Sequence, residues 1–346
     1  MALSAPFPYF GGKKRIAAEA WAAFGDVQNY VEPFAGSLAV LLARPEGWTG
    51  IETVNDKDGF VANFWRALAA DPEAIAHWAD WPVNENDQHA RHAWLVQRRE
   101  TLTAQLEGDP EYYDAKIAGW WVWGINCWIG GGWCSGDGPW RVDEHRQLVR
   151  DPGHPELGVK RKLVHLGDAG QGIHRQLVHL GDAGQGVHRK LVQDDGASGL
   201  LVWCQALAAR LRYVRVCCGD WARICGPTPT VQHGLTGVLL DPPYDEVIRD
   251  GALYATETVG IAKDVAAWAR EHGDDPLLRI VLCGYEGEHD MPSSWRIIEW
   301  KAPGGYGSQG QERGRENAHR ERLWLSPHCC QTGETYAQVT LESLYG

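Results

Sequence analysis

The sequence predicts an α/β protein with a mostly parallel sheet. Short apolar runs such as Val238-Leu239-Leu240 read as strands buried on both faces. They alternate with helical stretches, the pattern of parallel strands joined by right-handed crossovers. Several strands also end in turn residues that carry an acid, at Asn55-Asp56, Gly219-Asp220 and Asp241-Pro242-Pro243. Open sheets of this kind bind ligands at the carboxyl ends of their strands.

At 346 residues the chain is long enough for a large core in one or two domains. A hydrophobic content of 44% with 23% charged residues fits a globular protein in water. There is no apolar run near the length of a membrane span, and the start lacks the basic flank and apolar core of a secretory signal. Nine cysteines without a C-x-x-C pair suggest reduced thiols in a cytoplasmic protein, and no metal is expected. The formal charge of −12 argues at first against nucleic acid. Residues 141–193, however, hold nine Lys/Arg against six Asp/Glu, so a local basic face stays open.

Tyr9-Phe10-Gly11-Gly12-Lys13 comes first. Its glycines permit close backbone approach, and aromatics with a cation suit a small molecule with a charged end. A terminal arm with a helix cap is the plain alternative. Residues 13–24 then read as an amphipathic helix. Residues 29–31 form a strand leading into Glu32-Pro33-Phe34-Ala35-Gly36-Ser37, and 38–42 look helical. Strand, small-residue turn and helix make the first unit of a nucleotide-binding fold. Residues 51–55 are the second strand. Asp56 follows Gly36 by 20 positions, the spacing of an acid that holds ribose hydroxyls. Capping a helix over 59–68 is the other role open to it.

The pattern changes between about 71 and 196. Helices are expected over 88–106 and 111–127. Six tryptophans, including Trp133, fall within residues 120–140 around a run of glycines. Such rings pack into cores or stack on exposed bases. A 14-residue tandem repeat follows, Lys162–Arg175 and Gln176–Arg189, with Gly-Asp-Ala-Gly turn chemistry and His-Arg ends. Arg141, Arg146, Arg175 and Arg189, with Trp133, are the candidate DNA contacts. The alternating pattern then resumes. A helix is expected over 200–211 and a strand over 213–217, ending in Gly219-Asp220-Trp221. Strand 237–240 follows, then a helix within 252–272 and strand 279–283. Strands 296–300 and 322–325 are expected to pair around a polar loop.

Asp241-Pro242-Pro243-Tyr244 follows strand 237–240. Two prolines forbid both helix and ladder pairing, so the chain leaves the sheet as a stiff loop. The loop offers a carboxylate, a carbonyl and an aromatic ring, which together could hold a planar amine such as a nucleobase.

The ordered set resembles the Dam-like DNA adenine-N6 methyltransferases, phage-type members especially. It runs Tyr9-Phe-Gly-Gly-Lys13, Glu32-Pro-Phe-Ala-Gly36, Asn55-Asp56, Cys218-Gly-Asp220, Asp241-Pro-Pro-Tyr244. The resemblance covers roughly residues 6–70 and 198–330. It implies a Rossmann-like class I S-adenosylmethionine-dependent methyltransferase sheet of seven strands, the last one antiparallel. The catalytic domain would span 1–70 and 198–346, and 71–197 would be a mainly helical target-recognition insert. Tyr9, Phe10, Gly11, Gly12 and Lys13, with Pro33, Phe34, Ala35, Gly36 and Ser37, would enclose the methionine part of S-adenosylmethionine. Asp56 would hold its ribose, and Asp220 with Trp221 its adenine. Ser37 stands where many members have a second glycine. Asp241, Pro242, Pro243 and Tyr244 would be catalytic, with Asp241 also bordering the cofactor. Double-stranded DNA is the implied partner, the host cytoplasm the implied location for a phage protein, and the protein a monomer or weak dimer. Cytosine-N4 methylation, RNA adenine methylation and a non-catalytic DNA-binding protein on the same fold are the alternatives.

Overall fold

The computed structural model describes residues 3–7, 13–128, 133–134, 140–142, 148–150, 199–243, 260–300 and 320–331. Its strands are β1 (Asn29–Glu32), β2 (Ile51–Asp56), β3 (Trp140–Val142), β4 (Leu148–Arg150), β5 (Arg215–Cys218), β6 (Thr236–Leu240), β7 (Leu278–Tyr285), β8 (Arg296–Glu299) and β9 (Glu321–Leu325). The helices are α1 (Ala17–Phe24), α2 (Ala39–Leu42), α3 (Gly59–Ala70), α4 (Pro72–Ala79), α5 (Glu85–Val96), α6 (Arg99–Gly108), α7 (Ala115–Cys127), α8 (Gly199–Leu211) and α9 (Ile261–His272).

Seven strands form one sheet in the order β5-β2-β1-β6-β7-β9-β8, and β3 pairs with β4 in a separate hairpin. β5, β2, β1, β6 and β7 run parallel. β9 is antiparallel to both β7 and β8. The architecture is therefore α/β with a mostly parallel sheet, compatible with a Rossmann-like fold. Every residue of β1 and of β6 is buried, as expected of central strands covered on both faces. The outermost strands, β5 and β8, expose residues to water.

Two apolar clusters show what covers each face. Val31, Val238, Leu240, Ile280 and Leu282 join Val265, Ala266 and Ala269 of α9. Their sequence neighbours Tyr30, Leu239, Val281 and Cys283 point the other way and join α1 and α3. The two-residue side-chain period of the strands thus sorts the core into two layers.

Helices α4 to α7 pack outward from α3 and α8. Their buried residues Ile75, Leu95, Leu102, Trp121 and Trp123 belong to the same cluster as Phe64, Trp65 and Leu207. Asp71, at the expected boundary of the insert, both ends α3 and caps α4, accepting from the Ala74 amide at 3.0 Å. The side-chain amide of Asn63 exchanges two hydrogen bonds with the backbone of Asp114, at 2.8 and 2.9 Å, and fixes the start of α7 on α3. The single helix expected over 88–106 is two, α5 and α6, with the chain turning at Gln97 and Arg98. α4 was not anticipated, although Asp71-Pro72 is a cap followed by proline at the first helical position.

Trp133 is a correction. Expected as a DNA-contacting ring, it is 8% exposed. It stacks on His92 at 5.0 Å between centroids, and its indole N–H donates to the Trp121 carbonyl at 3.0 Å. Gly124 of α7 lies directly beneath it, where a Cβ would collide with the indole ring. Alanine is favoured over glycine inside a helix by about 1 kcal/mol, yet Gly124→Ala is expected to lower the melting temperature. Trp133→Ala should cost about 3–5 kcal/mol in chemical denaturation. A Gly124→Ala protein that melts at or above the wild-type temperature would contradict this packing.

Candidate functional site

The sheet changes direction of growth at β1: β2 and β5 lie on one side, β6 and β7 on the other. Ligands in open α/β sheets bind beyond the strand ends at such a switch point. Four parallel strands place their tips there. β1 runs into Pro33–Ser37, β2 ends at Asp56, β5 runs into Gly219-Asp220, and β6 runs into Asp241.

Asn55 binds three of these tips together. Its buried side-chain amide donates to the Pro33 carbonyl at 3.1 Å and to the Gly219 carbonyl at 3.0 Å. The first turn is tied down further. The Ala35 amide donates to the Asn55 carbonyl at 2.9 Å. The Gly36 amide donates to Asp56 Oδ2 at 2.9 Å, and the Gly36 carbonyl accepts from the Trp65 indole at 2.8 Å. Gly36 and Leu38 adopt left-handed conformations, with φ of 45° and 54°. Ser37 does not, so the position where relatives of the resembled family carry glycine makes no demand here that serine cannot meet. The strain falls on Leu38, which its complete burial holds in place.

Asp56 accepts from the amides of Gly36 and Asp58, each at 2.9 Å. Burial, reinforced by the neighbouring Asp58 carboxylate, pushes its carboxyl up to about 7 against the pull of those two amides. Capping of α3 falls instead to Asp58, which accepts from the Phe60 amide at 2.9 Å. A carboxylate has four lone-pair sites, so the two amides leave Asp56 able to receive hydroxyl donors as well. Asp220 is exposed and accepts from the Ala222 amide at 2.9 Å, closing the short turn that carries Trp221. Trp221 stacks on Phe34 at 6.2 Å and 29°, and meets Trp268 edge-on at 6.3 Å.

Asp241 is joined to the far end of the chain. Lys13 Nζ lies 3.0 Å from its Oδ1, with the two side chains 6% and 22% exposed. Burial alone would lower the Lys13 ammonium; the Asp241 carboxylate, helped by Glu321 and Cys283, overrides it and holds Lys13 above the usual lysine range. Pro242 is buried and Pro243 half-buried. Glu32 is buried at the tip of β1 and accepts from the Tyr30 hydroxyl at 3.0 Å. Burial raises its carboxyl well above the ordinary range, and the Tyr30 bond offsets this only in part.

The structure thus brings together Lys13, Pro33–Ser37, Asp56, Asp220, Trp221 and Asp241–Pro243 along one edge of the sheet. Tyr9, Phe10, Gly11, Gly12, Tyr244, Arg146, Arg175 and Arg189 lie outside the described residues. Arg141 is on β3, opposite Val149. Three contributors were not anticipated from sequence: Asn55 as a bridge, Glu32 as a buried acid, and Trp65 as the clamp on Gly36. An open groove of about 640 Å³ runs along the outer edge of β5, lined by Arg66, Glu107, Arg215 and Arg223 among others. None of the anticipated site residues lines it.

The arrangement offers a half-buried acid at a switch point, an acid placed for hydroxyl groups, and an apolar aromatic wall. Comparison with protein-family models and with curated proteins gives no match. Asn55→Ala should destabilise the fold by about 1–3 kcal/mol, because two buried carbonyls lose their donor. Urea titration measures this, and an unchanged midpoint would show that Asn55 does not hold the tips.

Proposed function

We propose that the protein transfers a methyl group from S-adenosylmethionine to the exocyclic N6 amine of an adenine flipped out of DNA. One observation carries the reading. The sequence segments that resemble the adenine methyltransferases come from distant parts of the chain, and those within the described residues meet at one switch point. The sheet supports it too: it has seven strands and its last strand is antiparallel, as the resemblance implies.

The residues fit the cofactor. Asp56 has acceptor capacity for ribose hydroxyls, Phe34 and Trp221 form an apolar wall for an adenine ring, and the Pro33–Ser37 turn lets backbone approach closely. When bound, the cofactor supplies a methyl on a positively charged sulfur, which takes back the carbon–sulfur bonding pair as the methyl leaves. The protein's part is positioning and electrostatics. The amine is a poor nucleophile because its lone pair is delocalised into the ring. The Asp241 carboxylate and the Pro242 carbonyl each accept one amine hydrogen, which favours a pyramidal nitrogen with its lone pair directed outward. Extruding the base costs a few kcal/mol. Stacking on Tyr244 contributes about 1–3 kcal/mol toward it. Residues 71–197, which hold α4 to α7 and the tandem repeat, are the part of the chain assigned to reading the DNA.

Two experiments test the reading. Mass spectrometry of DNA treated with protein and S-adenosylmethionine should detect N6-methyladenine, and Asp241→Ala should lower the rate by about 10²–10³-fold, as loss of a preorganised polar group does. Normal turnover in a folded Asp241→Ala protein would sink the assignment. Calorimetry should show affinity for S-adenosylmethionine that weakens as pH falls through about 7, where Asp56 takes up its proton. The sign follows from the raised carboxyl: above that pH Asp56 is a carboxylate that accepts from the ribose, and below it one oxygen is protonated. Asp56→Asn should remove the pH dependence.

A further inference from the structure

The buried Lys13–Asp241 pair carries a role beyond the cofactor contact that the sequence resemblance implies for Lys13. Lys13 is held at its base. Its carbonyl accepts from the Ile16 amide at 3.1 Å, and Ile16, Ala17 and Ala20 are buried just behind it. The ammonium extends to Asp241 at 3.0 Å and lies 5.9 Å from the centre of the Trp300 ring. Few lysines are this buried unless paired. Here the pairing joins the start of the chain to the loop after β6.

The surroundings of Asp241 explain why a cation is needed. Glu32, buried at the tip of β1, stands close enough for the Asp241 charge to raise its carboxyl, and Glu321 of β9 and Cys283 of β7 face the Lys13 ammonium. Burial and neighbouring carboxylates both favour a protonated acid. A protonated Asp241 would present a donor where the transfer step needs an acceptor. When the amine nitrogen forms its bond to the methyl carbon, it carries one proton too many. Asp241 is the proposed receiver of that proton, which passes on to solvent. The carboxylate must therefore be charged and correctly turned beforehand. A carboxylate's four lone-pair sites let an ammonium and an amine hydrogen share it.

We infer that Lys13 is a positioning residue for the transfer step: its ammonium holds the Asp241 carboxylate charged and oriented toward the target amine. The inference rests on the adenine-methylation reading, and it assigns Lys13 to the acid rather than to the cofactor.

Lys13→Met and Lys13→Gln remove the charge, and Lys13→Arg keeps it. Single-turnover methylation is measured across pH, with S-adenosylmethionine affinity by calorimetry and the Asp241 carboxyl titration by carbon NMR. Both neutral variants should lose rate at neutral pH by about 10²-fold, the scale of one acid–base contribution. Their acidic limb should move up by about one to three pH units, the effect of losing an adjacent opposite charge, so the deficit shrinks at alkaline pH. The Asp241 titration should move in the same direction, cofactor affinity should stay near that of the wild type, and Lys13→Arg should keep the wild-type limb. A loss confined to cofactor affinity, with the limb unmoved, would return Lys13 to the cofactor and overturn the inference. An Asp241 titration that does not move in folded neutral variants overturns it whether or not the wild type methylates DNA. A wild type that binds no S-adenosylmethionine and methylates nothing fails at the earlier step, the functional reading itself.

Discussion

The buried amide of Asn55 is the contact on which the site most depends. Parallel strands deliver their tips to one edge of a sheet, but nothing in ladder pairing fixes what the chain does after each strand ends. Here one side chain, itself at the end of β2, reaches the carbonyl after β1 and the carbonyl after β5. The following residue, Asp56, takes the Gly36 amide from the same turn. Two consecutive residues therefore fix the turn after β1 relative to the turn that carries Asp220 and Trp221. Buried carbonyls need donors, so the same bonds that shape the site also satisfy backbone groups that would otherwise destabilise the fold.

The electrostatics of the edge follow from crowding acids into that scaffold. Glu32 lies near both Asp56 and Asp241 in surroundings poor in water, and like charges there would repel strongly. The structure resolves the conflict differently at each. Burial raises the Glu32 carboxyl well above its ordinary range, and it accepts the Tyr30 hydroxyl. Asp56 is raised toward neutral pH but compensated by two amides. Asp241 is paired with Lys13. One edge thus holds an acid raised by burial, an acid raised toward neutral pH and a cation-paired acid. Carboxylates separated in this way can take separate roles.

The sheet and its tips were legible in the sequence because strand ends need unusual residues. Pro33, Gly219 and Pro242-Pro243 each break regular structure where a strand stops, and an adjacent acid marks each break: Glu32, Asp220 and Asp241. Strands β6 and β7 were readable because strands buried on both faces carry short apolar runs. The Lys13–Asp241 pair was not legible, since no local pattern records a contact between residues so far apart in sequence. Asn55 reads locally as a turn or cap residue, and only the tertiary fold turns its amide into a bridge. The break between α5 and α6 carries neither proline nor glycine, so periodicity ran straight through it. Trp133 could not be assigned from its ring alone, because large indoles serve both cores and exposed stacking surfaces. What decided its place was Gly124, nine residues earlier, whose missing side chain makes room for it.

These long-range links also determine how the site comes into being. Lys13 precedes every described strand, Asn55 is the penultimate residue of β2, Gly219 follows β5, and Asp241 follows β6. Closing such contacts carries a loop-entropy cost that grows with separation, and parallel pairing adds more of the same kind. No contiguous stretch of the chain contains the edge. A fragment that stops before β6 would have the turn after β1 and the Asp56 carboxyl but no Asp241. A fragment that begins after α1 would have Asp241 beside Glu32 with no Lys13 to balance it. Charge compensation and strand order are therefore one constraint: the acid after β6 is tolerable at the switch point because the parallel order that places it there also places it within reach of the lysine ahead of α1.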